Sequence, residues 1–221
     1  ASAMQEFAAE STRIVDLGGR TVLPGLVDAH SHTTGVSSDY LDLTEAHSVA
    51  EIASAVEQKA AQTPPGEWII GAGPFMFWRG WDEQRLKEKR LLTRWDLDPV
   101  SPNHPVLLIK EAGHALVLNS YALRLAGINK ETPDDSGQVV KDANTGAPTG
   151  ILLESAMNLA FQALPASTPE DRLAAARHAS DQLLRMGTTT VANMSLGPQD
   201  MRLFQRLYDD ASQVHVSTVL C

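Results

Sequence analysis

Two histidines lie two residues apart directly after a short apolar segment. The segment Leu26–Ala29 precedes His30, and only Ser31 separates His30 from His32. On a β-strand, residues two apart point to the same side, so both imidazoles would project together from the C-terminal end of a buried strand. Two imidazoles placed in this way can reach one divalent ion at about 2.0–2.1 Å. The spacing therefore predicts the beginning of a metal site.

The alternative is a coincidental pair, because seven histidines in this chain give roughly 0.2 His-x-His pairs by chance. The spacing alone leaves metal binding and coincidence equally supported. The position after an apolar strand that follows Pro24-Gly25 favours metal binding. Asp28 lies on the same predicted face and could orient a ligand imidazole or stabilise the end of the strand.

The charge of the chain argues against a nucleic-acid partner. Acidic residues exceed basic ones by 27 to 18, for a net charge of -9, whereas phosphate binding requires a surface of Lys and Arg. A lone cysteine, Cys221, excludes a disulfide framework. No segment is long enough to cross a membrane, and no signal peptide is visible near the first residue. The compartment stays open, with the cytoplasm favoured.

The order of elements predicts an α/β fold, since strands and helices alternate along the chain. Short strands are expected at 14–17 and 21–27. A helix should begin after Ser48, where Glu51 completes a capping box, and a charged helix is expected at about 83–92. Further expected elements are strands at 68–71 and 105–109, a helix at 119–126 and a hairpin formed by 138–141 and 149–154.

The last third of the chain is expected to form strands and helices in strict alternation. A helix should begin at Thr168-Pro169 and run to Met186, followed by a strand at 188–192, a helix at 199–211 and a strand at 214–220. Such a strand–helix–strand unit predicts parallel pairing. A complete (β/α)₈ barrel needs roughly 250 residues and eight such units. With three strands of this character, the expected barrel is incomplete.

The sequence around the two histidines resembles the start of the barrel in the amidohydrolase superfamily, and other segments narrow the resemblance to its amidohydrolase 3 group, the YtcJ-like enzymes. The resemblance runs from about Ile14 to the end of the chain. Several weak motifs in one order are more specific than any one of them. The segments are Gly19–His32, Trp68–Gly73, Leu97–Val100 with Pro105-Val106, Gly113-His114, Val117–Ser120 with Ala122-Leu123, Pro148–Glu154 and Gly187–Val191.

This resemblance implies a metal-dependent hydrolase that acts on carbon–nitrogen bonds, other than peptide bonds, of a small molecule through a metal-activated water. His30 and His32 would be metal ligands, and one or two zinc ions are expected. The implied fold is a partial TIM-like (β/α) barrel of the metallo-dependent hydrolase type with an inserted α/β segment. The expected divisions are leader residues 1–13, a small β region with the first barrel strand at 14–37, the insert at 38–165, and barrel βα units at 166–221.

The resemblance also draws attention to Glu154 and His114. Glu154 ends the apolar strand Ile151–Leu153, and we interpret it as a catalytic group that binds one metal or bridges two; the alternative is a carboxylate at the surface or at the start of a helix. His114 resembles a substrate-binding residue of the group, and the alternative is a hydrogen-bonded loop histidine. Both should approach the His30/His32 pair if the insert covers the mouth of the barrel.

Other chemically capable residues are assigned structural roles. Asn119 is expected to cap the helix that follows it. Lys110, which precedes Glu111, does not match the bridging lysine of the superfamily. An aromatic group near glycines is expected to form local core, with lining of a substrate cleft as the alternative. It comprises Phe75, Phe77, Trp78 and Trp81. The remaining histidines have no partner at ligand spacing and are expected to be structural or solvent-facing: His47, His104, His178 and His215.

The superfamily's later metal ligands have no counterpart in these 221 residues. We therefore expect the N-terminal half of such an enzyme, which would bind metal weakly and form a homo-oligomer to cover its apolar faces. Two alternatives remain: a truncated, non-catalytic fragment, and a small-molecule binding module without chemistry.

Overall fold

The computed structural model describes residues 7–32, 39–73, 80–134, 137–194, 196–209 and 215–220. Within them the chain is a mixed α/β protein with two separate β-sheets. The strands are β1 (Leu26–Ser31), β2 (Leu41–Asp42), β3 (Ile69–Ala72), β4 (Val106–Ile109), β5 (Ala115–Leu118), β6 (Gly137–Lys141), β7 (Pro148–Glu154), β8 (Thr188–Asn193) and β9 (Ser217–Leu220). The helices are α1 (Val49–Ala60), α2 (Arg94–Leu97), α3 (Ser120–Leu125), α4 (Met157–Ala163), α5 (Pro169–Arg185) and α6 (Pro198–Tyr208), with a 3₁₀ turn at Glu111–Gly113.

The smaller sheet has three parallel strands in the order β1-β8-β9. Helix α5 precedes β8, and α6 connects β8 to β9. The parallel strand–helix–strand unit predicted for the last third of the chain is therefore confirmed. Because parallel strands end at the same edge of a sheet, the C-terminal ends of β1, β8 and β9 lie together.

The pairing of β1 with β8 is irregular next to the two histidines. Asp28 is opposite Val191 and Ser31 is opposite Asn193, so three steps along β1 match two along β8. Such an extra residue is a β-bulge, which redirects side chains and is common at barrel rims and beside active sites. The bulge includes His30.

The larger sheet has six strands in the order β2-β3-β4-β5-β7-β6, all lying between β1 and β8 in sequence. The pairs β2–β3 and β3–β4 are parallel, and the other three are antiparallel. Apolar cores cover both faces: Leu108 packs with Ile52 and Leu97 on one side, and Leu107 packs with Leu152 on the other. The sheet is thus the middle of three layers, because strands that are buried on both faces need packing partners on each side.

Side-chain caps fix the helix boundaries that the sequence predicted. The Ser48 hydroxyl accepts a hydrogen bond from the backbone N–H of Glu51 at 3.2 Å. The Thr168 hydroxyl accepts one from Asp171 at 3.1 Å, ahead of the proline at the first position of α5. These oxygens satisfy N–H groups that have no partner within a helix.

Two predicted strands and one predicted helix differ from the structure, although residues 26 and 27 of the second strand belong to β1. Residues 14–17 and 21–25 form no strand, and their apolar side chains are exposed, because no strand among the described residues pairs with them. Residues 83–92 form turns instead of a charged helix. Lys89 has a φ of 50°, and such a left-handed residue interrupts a right-handed helix.

The described helices include none long and apolar enough to cross a membrane. Each sheet has its own hydrophobic cores: two clusters lie within residues 40–164 and two within residues 173–216. The division of the chain into domains at the expected boundaries stays a prediction, and leader residues 1–6 lie outside the described part.

Candidate active site

The imidazoles of His30 and His32 lie next to each other at the C-terminal end of β1. Their ring centres are 5.3 Å apart and their planes are inclined by 71°. Two imidazoles bound to one tetrahedral ion at ordinary metal–nitrogen distances have ring centres roughly 5 Å apart. The spacing of the pair therefore fits two ligands of a single metal ion. Both side chains are exposed, so an ion could reach them.

The carboxylate of Asp28 supports the backbone rather than a ring. Its Oδ1 accepts a hydrogen bond from the backbone N–H of His30 at 3.0 Å. That N–H lies in the bulge, where the pairing with β8 is irregular. Asp28 thus stabilises the backbone conformation that carries His30. This agrees with the predicted role of stabilising the end of the strand, and not with that of orienting an imidazole.

Gly25 allows β1 to lie close against β8. A Cβ atom at position 25 would overlap the side chain of Thr189 on β8. Only glycine avoids this overlap without a shift of one of the strands, because a β-carbon is present in every other residue. The Pro24-Gly25 segment of the motif therefore sets how β1 enters its sheet.

Asn193 is a polar residue at the same edge that sequence reasoning missed. It ends β8, lies opposite Ser31 and Leu220 in the neighbouring strands, and is fully buried. Buried polar side chains are rarely kept without a partner. A polar residue after the β-branched segment Thr188–Val191 was the available signal, since strand ends at this edge carry active-site groups in barrel enzymes.

His114 and Glu154 meet on the larger sheet although they are 40 residues apart in sequence. The Nδ1 atom of His114 lies 3.2 and 3.3 Å from the two carboxylate oxygens of Glu154. An ionised carboxylate only accepts hydrogen bonds, so Nδ1 donates, and Nε2 remains for another partner. Both side chains are well exposed, at 71% and 63%.

The backbone around this pair adopts unusual conformations. Ala112 and Gly113, immediately before His114, have φ values of 70° and 72°, and Glu154 has a φ of 52°. Left-handed conformations are uncommon for residues with a β-carbon and cluster at functional sites. The backbone N–H of Glu154 also donates to the carbonyl of His114 at 3.2 Å. Two such turns, joined by this bond, hold the imidazole against the carboxylate.

The structure does not bring Glu154 into a metal-binding group with the two histidines. Among the described residues, no three His, Cys, Asp or Glu side chains are arranged to hold a metal ion. His30 and His32 form one cluster and His114 with Glu154 forms another. The metal-binding and catalytic roles of Glu154, and the approach of the second cluster to the first, stay predictions.

Lys110 has a structural role, in agreement with its exclusion as a bridging ligand. Its ammonium lies 3.0 Å from the carboxylate of Asp82 and 3.2 Å from that of Glu83. Burial lowers the pKa of Lys110, but the hydrogen bonds to the two carboxylates outweigh burial and hold that pKa above its ordinary value. Lys110 therefore stays charged and ties residues 80–83 to the end of β4.

Among the remaining candidates, Trp81, His104 and Asn119 have structural roles. Trp81 is fully buried in the core, while Phe75, Phe77 and Trp78 lie outside the described residues. The Nε2 atom of His104 lies 3.0 Å from the carbonyl oxygen of Thr63. Asn119 caps α3 by accepting a hydrogen bond from Ala122 at 2.9 Å, as predicted.

Two solved metal-dependent hydrolases are similar in fold to this chain. An uncharacterized metal-dependent hydrolase from Pyrococcus horikoshii matches 99% of this chain and 40% of its own, with a TM-score of 0.60 and 24% identity. One from Pyrococcus furiosus matches 89% of this chain and 37% of its own, with a TM-score of 0.55 and 26% identity. The chain thus shares the fold of part of each of these two metal-dependent hydrolases.

The chain belongs to the amidohydrolase family, whose model matches residues 13–218. The putative amidohydrolase YtcJ of Bacillus subtilis is 38% identical over 73% of this chain. The N-substituted formamide deformylase of Arthrobacter pascens is 32% identical over 90% of it. The chain spans 30% and 37% of the lengths of these two relatives.

Proposed function

We propose that this chain carries the first metal ligands of a hydrolase that cleaves a carbon–nitrogen bond, other than a peptide bond, in a small molecule. The observation that carries the proposal is the adjacent pair His30 and His32, at the C-terminal end of a parallel strand. Active sites of barrel enzymes lie at this end of the strands. The order β1-β8-β9, with helices between its strands, supports a (β/α) barrel as the frame.

The donor set fits zinc in part. Imidazole nitrogens are common zinc ligands, and the ring spacing of 5.3 Å suits a shared ion. A catalytic zinc site generally has three protein ligands, so at least one further ligand is required. When bound, the metal would supply an activated water and polarise the substrate carbonyl.

Hydrolysis of an amide adds water across the C–N bond, so that the carbonyl carbon gains an oxygen and the departing nitrogen takes up a proton. His114 and Glu154 supply a group suited to the substrate side. The carboxylate fixes the ring orientation and places the proton on Nδ1, which leaves Nε2 to contact the substrate's polar atoms. We propose His114 as the substrate-binding residue and Glu154 as the residue that positions it.

One relative supports a first choice of substrate class. One is an N-substituted formamide deformylase, 32% identical over 90% of this chain. A small N-substituted amide is therefore the first substrate to test. The alternatives are a fragment without activity and a binding module that retains a pocket without chemistry.

The test measures formate release from an N-substituted formamide by the protein loaded with zinc. We expect His30→Ala and His32→Ala to abolish turnover and weaken metal binding, and Glu154→Gln to lower the rate. Unchanged metal content in Glu154→Gln would support its role in positioning His114, and a loss of metal would support its predicted role as a ligand. His47→Ala, an exposed histidine elsewhere, is the matched control. Turnover that survives the loss of both histidines would contradict the proposal. Ligand binding that persists in His30→Ala/His32→Ala, without turnover in any form, would favour the binding module.

A further inference from the structure

A groove lined by three arginines lies between the outer helices α5 and α6, on residues that the proposed reaction does not use. Its volume is about 410 Å³, within the range of roughly 300–1,000 Å³ found for small-molecule sites. Leu203, which is buried between the helices, forms part of its floor. The lining residues are Pro169, Arg172, Gln199, Arg202, Leu203 and Arg206.

Arg172 is held in a fixed orientation across the two helices. Its Nη2 lies 2.6 Å from Oδ1 of Asp200, and its Nη1 donates to the side-chain oxygen of Gln199 at 3.2 Å. The other oxygen of Asp200 accepts a hydrogen bond from the backbone N–H of Gly197 at 3.0 Å. Both oxygens of Asp200 are thus engaged, and Asp200 does not neutralise the other two arginines.

Arg202 and Arg206 are four residues apart on α6, so their side chains are neighbours on one face. Arg206 lies 3.4 Å from Glu170, whose side chain is 74% exposed. An exposed ion pair at this distance contributes little to stability. In the described part of the chain, Arg202 makes no ion pair or side-chain hydrogen bond. Two adjacent guanidinium groups on a helix repel each other, and a bound anion would remove that repulsion.

We propose that this groove binds a small molecule that carries an oxyanion, either a phosphate or a carboxylate. Arg202 and Arg206 contact the anionic group, and Pro169 and Leu203 contact the apolar part of the ligand. Guanidinium groups bind both kinds of anion with paired hydrogen bonds. The site is separate from the two histidines and does not depend on metal.

The test is isothermal titration of the purified protein with inorganic phosphate and, in a second series, with succinate, at ionic strength held constant with sodium chloride. We expect saturable binding of one anion per chain. Arg202→Ala and Arg206→Ala should each weaken it by about tenfold, since each removes a charge-assisted contact. Phosphate binding alone would identify a phosphorylated ligand, succinate binding alone a carboxylate, and both would leave the oxyanion site supported.

Two variants make the test decisive. Arg124→Ala removes an exposed arginine on α3, outside the groove, and should leave the affinity unchanged. His30→Ala/His32→Ala should also bind the anion normally. The proposal is overturned if neither anion binds saturably, if Arg124→Ala weakens binding as much as Arg202→Ala, or if the double histidine variant abolishes it.

Discussion

Several carboxylates in this structure accept hydrogen bonds that fix the conformation of a neighbouring backbone segment or side chain. Asp28 holds the backbone of His30, and Glu154 holds the ring of His114. Asp96 shows the same behaviour away from the site: it accepts hydrogen bonds from both Nη atoms of Arg90 at 2.8 and 2.7 Å, and from Thr93. Each carboxylate therefore fixes the geometry of one turn or strand end.

Asp96 gives the protein a defined loss of stability in acid. Burial raises the pKa of Asp96, but the hydrogen bonds from Arg90 and Thr93 outweigh burial and hold its folded-state pKa below the ordinary 3.8. The carboxylate thus stabilises the fold above about pH 4 and loses this contribution as pH falls through its lower folded-state pKa. Asp96→Asn should lower the free energy of unfolding by about 2 kcal/mol at pH 7.

The measurement is urea unfolding of both proteins between pH 7 and pH 3. The difference between wild type and Asp96→Asn should shrink toward acid. A difference that is constant or grows as pH falls would contradict this assignment.

At the scale of elements, local patterns predicted boundaries well where a cap or turn residue specified them. Helices α1, α3 and α5 begin after Ser48, Asn119 and Thr168, whose side chains accept hydrogen bonds at each first turn. The helix predicted for residues 83–92 does not form, because charged side chains of this segment contact distant parts of the chain. Arg85, for example, lies 2.8 Å from Glu111. Charge composition alone does not distinguish such a folded turn from a helix.

Asn119 should be the most costly of these caps to lose. It is buried, its Oδ1 accepts from Val106 and Ala122 at 3.0 and 2.9 Å, and its Nδ2 donates to the carbonyl of His104 at 2.8 Å. Asn119→Ala leaves buried partners unsatisfied, and we expect a loss of about 2–4 kcal/mol in the free energy of unfolding.

The control is Asn129→Ala, an exposed asparagine whose side chain accepts one hydrogen bond in a surface turn, from Glu131 at 2.8 Å. It should cost under about 1 kcal/mol in the same denaturant titration. Equal losses for the two variants would show that the Asn119 network contributes no more than a surface turn.

At the scale of the whole molecule, the site could be predicted only in part. The His30/His32 pair depends on neighbours in one strand, so local spacing was sufficient. The contact between His114 and Glu154 depends on the pairing of β5 with β7, where Ala115 is opposite Leu153. Long-range pairing of this kind is not encoded in a local pattern, and the family resemblance alone drew attention to both residues.

Three apolar side chains of the small sheet are exposed. Leu26, Val27 and Val219 are 58%, 70% and 53% exposed. Exposed apolar patches favour association. We therefore predict that the 221-residue chain forms homo-oligomers in which these side chains are covered, and that Leu26→Ser/Val27→Ser shifts it toward monomer in analytical ultracentrifugation. Trp95→Ser, which removes an exposed apolar residue near the larger sheet, should leave the oligomeric state unchanged. A wild-type chain that stays monomeric at high concentration would contradict the prediction.

The most direct test of the metal site is equilibrium dialysis of the chain against zinc. Two histidines without a third assured ligand should bind one ion weakly. His30→Ala and His32→Ala should each reduce the affinity at least about tenfold, whereas His47→Ala should leave it unchanged. If either single variant at position 30 or 32 binds zinc as tightly as the wild-type chain, these two histidines do not form the metal site.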